Sequence, residues 1–355
     1  MKRILSLIMV FVLLFTSAAM AEDMTTTTKN NKNSIKLKKS YPDNPVVEGI
    51  SSTTGLPASG EEYTPILLVL DNAEEAYPHW GVSQADILFQ IPNAGKGATK
   101  LMALFADHYP EQAGGARSAR ASMVPVAKAW DAAFAHAGGP ELSNTNVDPF
   151  KLMKKWNMRN TNRAYNLLNG FAERMDFVPS PHNSSAHILR IHEDILSAGV
   201  SFEQRPFLFT DEPRTEGATA EFIKVIHRGD DKKQNSNSAS YATYTYVPEQ
   251  NGYIRTNSSG DYIDRDNGET LYFSNVIVLR TKFGWNSGYV YLSKHLVGSG
   301  VAEIFQNGKY VRGAWTRKSQ GDRIVFVGPD GKELPMQRGK TFIVVTNDVT
   351  EVSYK

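Results

Sequence analysis

Two glycines followed by two arginines three apart, in Gly114-Gly115-Ala116-Arg117-Ser118-Ala119-Arg120, form the most chemically suggestive stretch of the sequence. A glycine pair lets backbone approach a ligand closely. A helix opening just behind it would aim unpaired N–H groups and the positive end of its dipole at an anion. Arginines three apart share a helical face and can grip a carboxylate, sulfate or phosphate through paired N–H donors. Arg117, Ser118 and Arg120 are therefore candidate ligand-binding residues. The Gly-Lys-Ser/Thr ending of a Walker loop is missing, which argues against nucleotide hydrolysis. The competing reading pairs both arginines with internal carboxylates such as Asp86 or Asp131.

A second cluster is Pro179-Ser180-Pro181-His182-Asn183-Ser184. Two prolines force an extended approach, and the His-Asn pair precedes an expected helix over 184–198. His182 is suited to shuttle a proton near neutral pH. Helix capping explains Asn183 and Ser184 equally well but leaves His182 without a role. His136 ends an apolar stretch and opens into Gly138-Gly139, and Asp71-Asn72 ends another after Ile66-Leu67-Leu68-Val69-Leu70. Ends of strands opening into loops are common ligand positions, although a lone strand histidine is more often a packed core residue and an Asn there closes an Asx-turn. Strand ends and helix starts meet on one edge of an α/β sheet. Asp71, Asn72, Arg117, Arg120, His136, His182 and Asn183 are therefore expected to converge on one cleft, with His136 and His182 as the catalytic candidates. The alternative is a closed, fully satisfied polar network.

Other chemistries are poorly supported. The chain has no cysteine, which excludes disulfides, thiolate metal sites, a cysteine nucleophile and a lipidated N-terminal cysteine. His187 and His192 are five apart, on different helical faces, so no metal is expected, and no residues imply a cofactor. Val297-Gly298-Ser299-Gly300 lacks the spacing of a serine-hydrolase elbow and reads as a hairpin loop. Lys and Arg number 39 against 37 Asp and Glu, and two of the bases, Lys2 and Arg3, lie in the first segment. The remainder is balanced, so no global field favours nucleic acid or a membrane surface.

The elements that must position these residues follow from the patterning. Residues 1–21 have a basic start, a short apolar run and Ala19-Met20-Ala21, the form of a cleaved secretory signal; no later stretch is apolar enough to span a bilayer. The protein is expected to be extracytoplasmic, periplasmic or secreted. Residues 22–40, rich in Thr, Asn and Lys, read as a disordered tether. Residues 41–215 read as a mixed α/β domain, with strands near 66–70, 85–91 and 101–106. Its helices are expected over 118–130, 149–156 and 184–198, the second opened by Asp148-Pro149 and the last closed by Gly199. From 216 to 355, hairpin signals at Asn251-Gly252, Asn267-Gly268, Asn307-Gly308 and Asp330-Gly331 mark a β-rich domain, a barrel or a sandwich. A turn at 229–231, a loop over 232–240 and a strand beginning at Tyr241, Tyr244 and Tyr246 complete that half.

Several of these segments together resemble one family. Leu70-Asp71-Asn72, Gly81-Val82-Ser83-Gln84-Ala85-Asp86-Ile87, Arg117-Ser118-Ala119-Arg120, 131–139 and Pro181-His182-Asn183 occur in order, followed by Asn275-Val276-Ile277-Val278, Gly298-Ser299-Gly300 and 308–315. This is similar to the YerB-like bacterial envelope lipoproteins, which share a two-part domain of unknown function (DUF3048). The resemblance implies an extracytoplasmic location, an α/β first part and a β-rich second part. The chain departs from it in having no cysteine to lipidate. It also has no acid over 89–100, where members tend to carry glutamates before a Thr-Arg pair; here Thr99-Lys100 ends the stretch. The expected partner is an anionic envelope glycan or its fragment, held by Arg117, Arg120 and Lys100. The expectation from a different class is an envelope assembly or scaffolding factor that uses Tyr241, Tyr244 and Tyr246 for protein contacts.

Overall fold

A computed structural model describes residues 24–27, 35–95, 97–228 and 241–355. The signal-like segment 1–21, the turn at 229–231 and the loop over 232–240 lie outside the described residues. None of the described helices is long and apolar enough to cross a membrane.

Five consecutive apolar residues make Ile66–Leu70 a strand buried on both faces. It pairs antiparallel with Thr99–Phe105 and parallel with Ala133–His136. Thr99–Phe105 pairs in turn with Ile87–Pro92, which runs parallel to Thr341–Thr346, itself parallel to Asn275–Arg280. Gly298–Gln306 and Lys309–Arg317 extend the same sheet, which has eleven strands among the described residues. Both halves of the sequence thus contribute to one central sheet. The register Ile87 to Thr341 through Gln90 to Val344 joins them directly.

Alternation along the strands divides the core into two layers. Ile66, Leu68 and Leu70, with Phe342 of the same sheet, pack in one layer with Ile223, Val225 and Tyr244 of a seven-stranded sheet and with the helix Ile188–Ser197. Leu67 and Val69 face the other way, with Val124, Val126, Trp130 and Met153 from the helices Val124–Ala129 and Pro149–Lys155. Cover on both sides is why these strands read as unbroken apolar runs.

The molecule is mostly β, with several sheets. The β-rich character expected after residue 216 is present, whereas the α/β character expected before it is weak because the helices are short. The helix expected over 118–130 begins only at Val124, with Pro125 in its first turn, so 115–123 is not helical. The helix expected over 184–198 begins at Ile188, because Ser184–Ala186 is a strand pairing with Ala113–Gly114 and Ala172–Arg174. Pro149–Lys155 forms as expected, with Asp148 accepting from the Lys151 N–H at 2.9 Å. Gly298–Gln306 is a strand, not a loop. It turns into its partner through Asn307-Gly308, both at positive φ, as a two-residue hairpin requires. Part of the expected tether also lies on the fold. Thr25–Thr26 pairs with Ser353 and Tyr354, and Ile35 and Leu37 pack against Ala314, Val325 and Val327.

Candidate functional site

Asp71 follows the last residue of Ile66–Leu70 and gathers three cationic or titratable side chains. Leu70 stands opposite Leu101, so the next position along each strand places Asp71 beside Lys100. Lys100 Nζ lies 2.6 Å from Asp71 Oδ1, Arg117 Nε 2.6 Å from Oδ2, and His182 Nδ1 2.7 Å from Oδ2. The Asn72 N–H also donates to Oδ1 at 2.9 Å. Burial pushes the Asp71 carboxyl up, but the charge and hydrogen bond of Lys100, with Arg117 and His182, outweigh it and hold the group well below the usual carboxylate range. The carboxylate can only accept. His182 Nδ1 therefore carries the proton of that hydrogen bond.

Backbone pairing brings the distant segments together. The Asp71 N–H donates to the Gly115 carbonyl and the Arg117 N–H to the Val69 carbonyl, while the Ala116 N–H donates to the Ser184 carbonyl. Arg117 Nη1 donates to the Pro181 carbonyl at 3.0 Å. The glycine pair serves this packing: a Cβ on Gly114 would sit 2.2 Å from the Trp80 ring, and one on Gly115 would sit 2.1 Å from the His182 carbonyl oxygen. Gly115→Ala should therefore force His182 away from Asp71 and cost about 1–3 kcal/mol of overpacking. Denaturant midpoints of the two proteins measure this, and an unchanged midpoint would contradict the packing role.

Arg120 completes a cationic cluster. Its Nη1 donates to the Ala119 and Ser118 carbonyls at 2.8 and 3.3 Å, its guanidinium lies 5.7 Å from the centre of the Tyr289 ring, and its Nε is buried without a partner. Burial lowers its proton affinity and so does the neighbouring charge of Arg117. Arg120 makes no ion pair among the described residues. Three cations, Lys100, Arg117 and Arg120, are thus set against the single carboxylate of Asp71. The carboxylates first considered for the arginines are occupied elsewhere: Asp131 pairs with Arg163 at 3.0 Å, and Asp86 accepts from Thr53 and the Ala106 N–H.

The structure places Asp71, Asn72, Arg117 and His182 together, with Arg120 beside them. His136 and Asn183 take no part in the Asp71 contacts. Asn183 Oδ1 accepts from Arg174 and its Nδ2 donates to the Met175 carbonyl, so it fastens a neighbouring strand. Ser118 contributes its carbonyl to Arg120. His136 Nδ1 bonds the Gly138 carbonyl at 2.8 Å, and its ring lies between those of Phe134 and Phe150. Concavities of about 210 and 340 Å³ lie elsewhere, the first at Asn44 and Arg338 and the second at Lys282 and Lys294. Among the described residues no group of His, Asp and Glu could hold a metal ion.

The enclosure of His136 has a measurable consequence. Burial pushes its imidazole down to about 4, a trend that the Gly138 carbonyl opposes and Arg159 reinforces. The unfolded chain takes up this proton near the ordinary histidine value, so between that value and about 4 it binds more protons than the folded one. Stability then falls as pH drops through this window, by roughly 2 kcal/mol at pH 5 from this residue. His136→Phe should remove that part of the decline in denaturation curves taken from pH 7.5 to 5. Parallel declines in both proteins would contradict it.

Sequence reasoning missed the layer beneath Asp71. His79 Nε2 donates to the Asp71 carbonyl at 2.8 Å, which leaves its Nδ1 to accept from Tyr262. Asn72 Nδ2 donates to Thr99 Oγ1 at 2.8 Å, Gln90 donates to the same oxygen, Arg255 donates to Gln90 and Tyr77, and the Tyr77 hydroxyl donates back to Asn72. This closed ring joins both sequence halves and fixes the turn that carries Asp71. Only the aromatic and proline content of Tyr77-Pro78-His79-Trp80 hinted at it.

Comparisons with known proteins bear on the chain as a whole. Residues 53–201 match the protein of unknown function (DUF3048) N-terminal domain, and residues 233–343 match its C-terminal domain. A Bacillus subtilis (strain 168) protein named "Putative lipoprotein YerB" is 25% identical over 300 residues, 82% of this chain and 84% of that protein. The crystal structure of YerB protein from Bacillus subtilis superposes with a TM-score of 0.68 at 25% identity, covering 85% of this chain and 99% of that one. With both parts of the family matched in order across most of its length, the chain belongs to the DUF3048 family.

Proposed function

We propose that the Lys100–Arg117–Arg120 cluster binds an anionic glycan of the bacterial envelope, with Asp71 holding Lys100, Arg117 and His182 in place. The observation that carries this reading is the charge imbalance: Lys100 and Arg117 share the one carboxylate of Asp71, and Arg120 beside them, with a buried unpartnered Nε, has no acidic partner among the described residues. A ligand carboxylate would supply the missing negative charge through charge-assisted hydrogen bonds. The signal-like first segment and the relative's name as a lipoprotein favour an envelope location, where carboxylate-bearing glycans are abundant. Of the two histidines, His182 is the one suited to proton transfer, because Asp71 fixes its ring; His136 is enclosed.

The scaffolding alternative has less to support it, although Tyr241 and Tyr246 are only half-buried. Tyr244 is fully buried, and Tyr241–Val247 is paired on both sides, by Phe222–Ile226 and Gly252–Asn257. Binding to purified peptidoglycan across a salt series tests the proposal. Retention at low salt that falls as salt rises is expected; no retention at low salt would refute it.

A further inference from the structure

The hairpin formed by Phe283–Asn286 and Tyr289–Leu292 reaches from the second half of the sequence to the cationic cluster. Ala94 bridges to Tyr289, and the Gly95 N–H donates to the Gly288 carbonyl at 3.1 Å, so the tip is docked rather than free. Register fixes its faces. Val290 and Leu292 point into the core, whereas Tyr289 and Tyr291, two residues apart, share the opposite face and are half-buried. Tyr291 stands opposite Gly284, where a Cβ would lie 2.2 Å from its ring. The glycine thus leaves room for that ring to pack over its backbone. Tyr289 meets the Arg120 guanidinium.

We infer that Tyr289 and Tyr291 form a saccharide-stacking platform continuous with the anion site, so that the ligand is an acidic sugar rather than a simple anion; this rests on the proposed anion-binding role. The C–H-bearing face of a pyranose carries partial positive charge and suits the negative face of an aromatic ring. A carboxylate on that sugar would reach the cations beside Tyr289. An anion without a sugar would use the cations and leave the platform idle. An apolar peptide would gain nothing from Arg120, so charge complementarity favours the acidic saccharide.

Ligand-observed NMR with two probes tests this: the disaccharide of N-acetylglucosamine and N-acetylmuramic acid, and lactate, which keeps the carboxylate without the sugar. The wild-type protein should bind both. Tyr289→Leu combined with Tyr291→Leu should weaken the disaccharide at least fivefold and leave lactate unchanged, while Tyr291→Phe, which keeps the ring, should bind like wild type. Equal disaccharide binding by the double variant overturns the platform and leaves the anion site standing. Lactate bound without the disaccharide also overturns the platform alone. Neither probe bound overturns both readings. Loss of lactate in the double variant would show damage beyond the platform; Tyr291→Ala alone then decides, and an unchanged disaccharide affinity in that variant overturns the inference.

Discussion

Asp71→Ala is expected to lower stability at neutral pH by about 3 kcal/mol, the largest loss from any single substitution at the site. Removing one partner of a buried ion pair leaves the others without compensation, which typically costs about 3–5 kcal/mol. The lower end applies here because Arg117 is 26% exposed and water can solvate it in part. Lys100, 13% exposed, and the His182 Nδ1–H lose their acceptor in the same step. The pH dependence has a definite sign. Because the folded-state carboxyl is held below its ordinary value, its contribution is full above the unfolded value and lost as pH falls through the folded one. Denaturation curves of wild type and variant should therefore differ at pH 7 and converge in strong acid. A gap that persists unchanged into strong acid would mean that the loss comes from packing rather than charge.

Arg120→Gln should weaken binding to peptidoglycan at least about tenfold, and Arg117→Gln combined with it substantially more. A charge-assisted hydrogen bond is worth about 1.5–3 kcal/mol, and 1.4 kcal/mol is one decade of affinity. The single variant is the cleaner experiment. Arg120 makes no ion pair among the described residues and donates only to backbone carbonyls, so its replacement removes charge without leaving Asp71 short of partners. Arg117→Gln also loosens Asp71, and its effect on affinity has to be compared with its effect on the denaturation midpoint. Affinity unchanged in Arg120→Gln, with the fold intact, would remove Arg120 from the binding site.

The sequence made the strands legible because burial on both faces writes itself as unbroken apolar runs, as in Ile66–Leu70 and Asn275–Arg280. It could not say that residues 87–92 pair with 341–346, since nothing local encodes a parallel pairing across that separation. The helices were overextended for a specific reason. Ala116, Ala119 and Ala121 favour a helix, but their segment is drawn into pairing beside Leu70 and Ser184. Tertiary pairing overrides propensity there. Asp71, Arg117 and His182, which the structure places in contact, stand out in the sequence because a charged or titratable group beside an apolar run or a proline pair has few cheap places to go. His136 satisfied the same rule and proved to be enclosed between two phenylalanines. The ring through Thr99, Gln90 and Arg255 is illegible because each of the three is an ordinary polar residue in its own strand, and only the pairing of two of those strands and the packing of the third from another sheet join them.

Co-sedimentation with purified peptidoglycan, compared before and after amidation of its carboxylates, tests the central claim most directly. Charge recognition by Lys100, Arg117 and Arg120 predicts retention on the intact polymer at low salt and loss of most of it once the carboxylates are neutralised. Equal retention on both polymers would contradict the account.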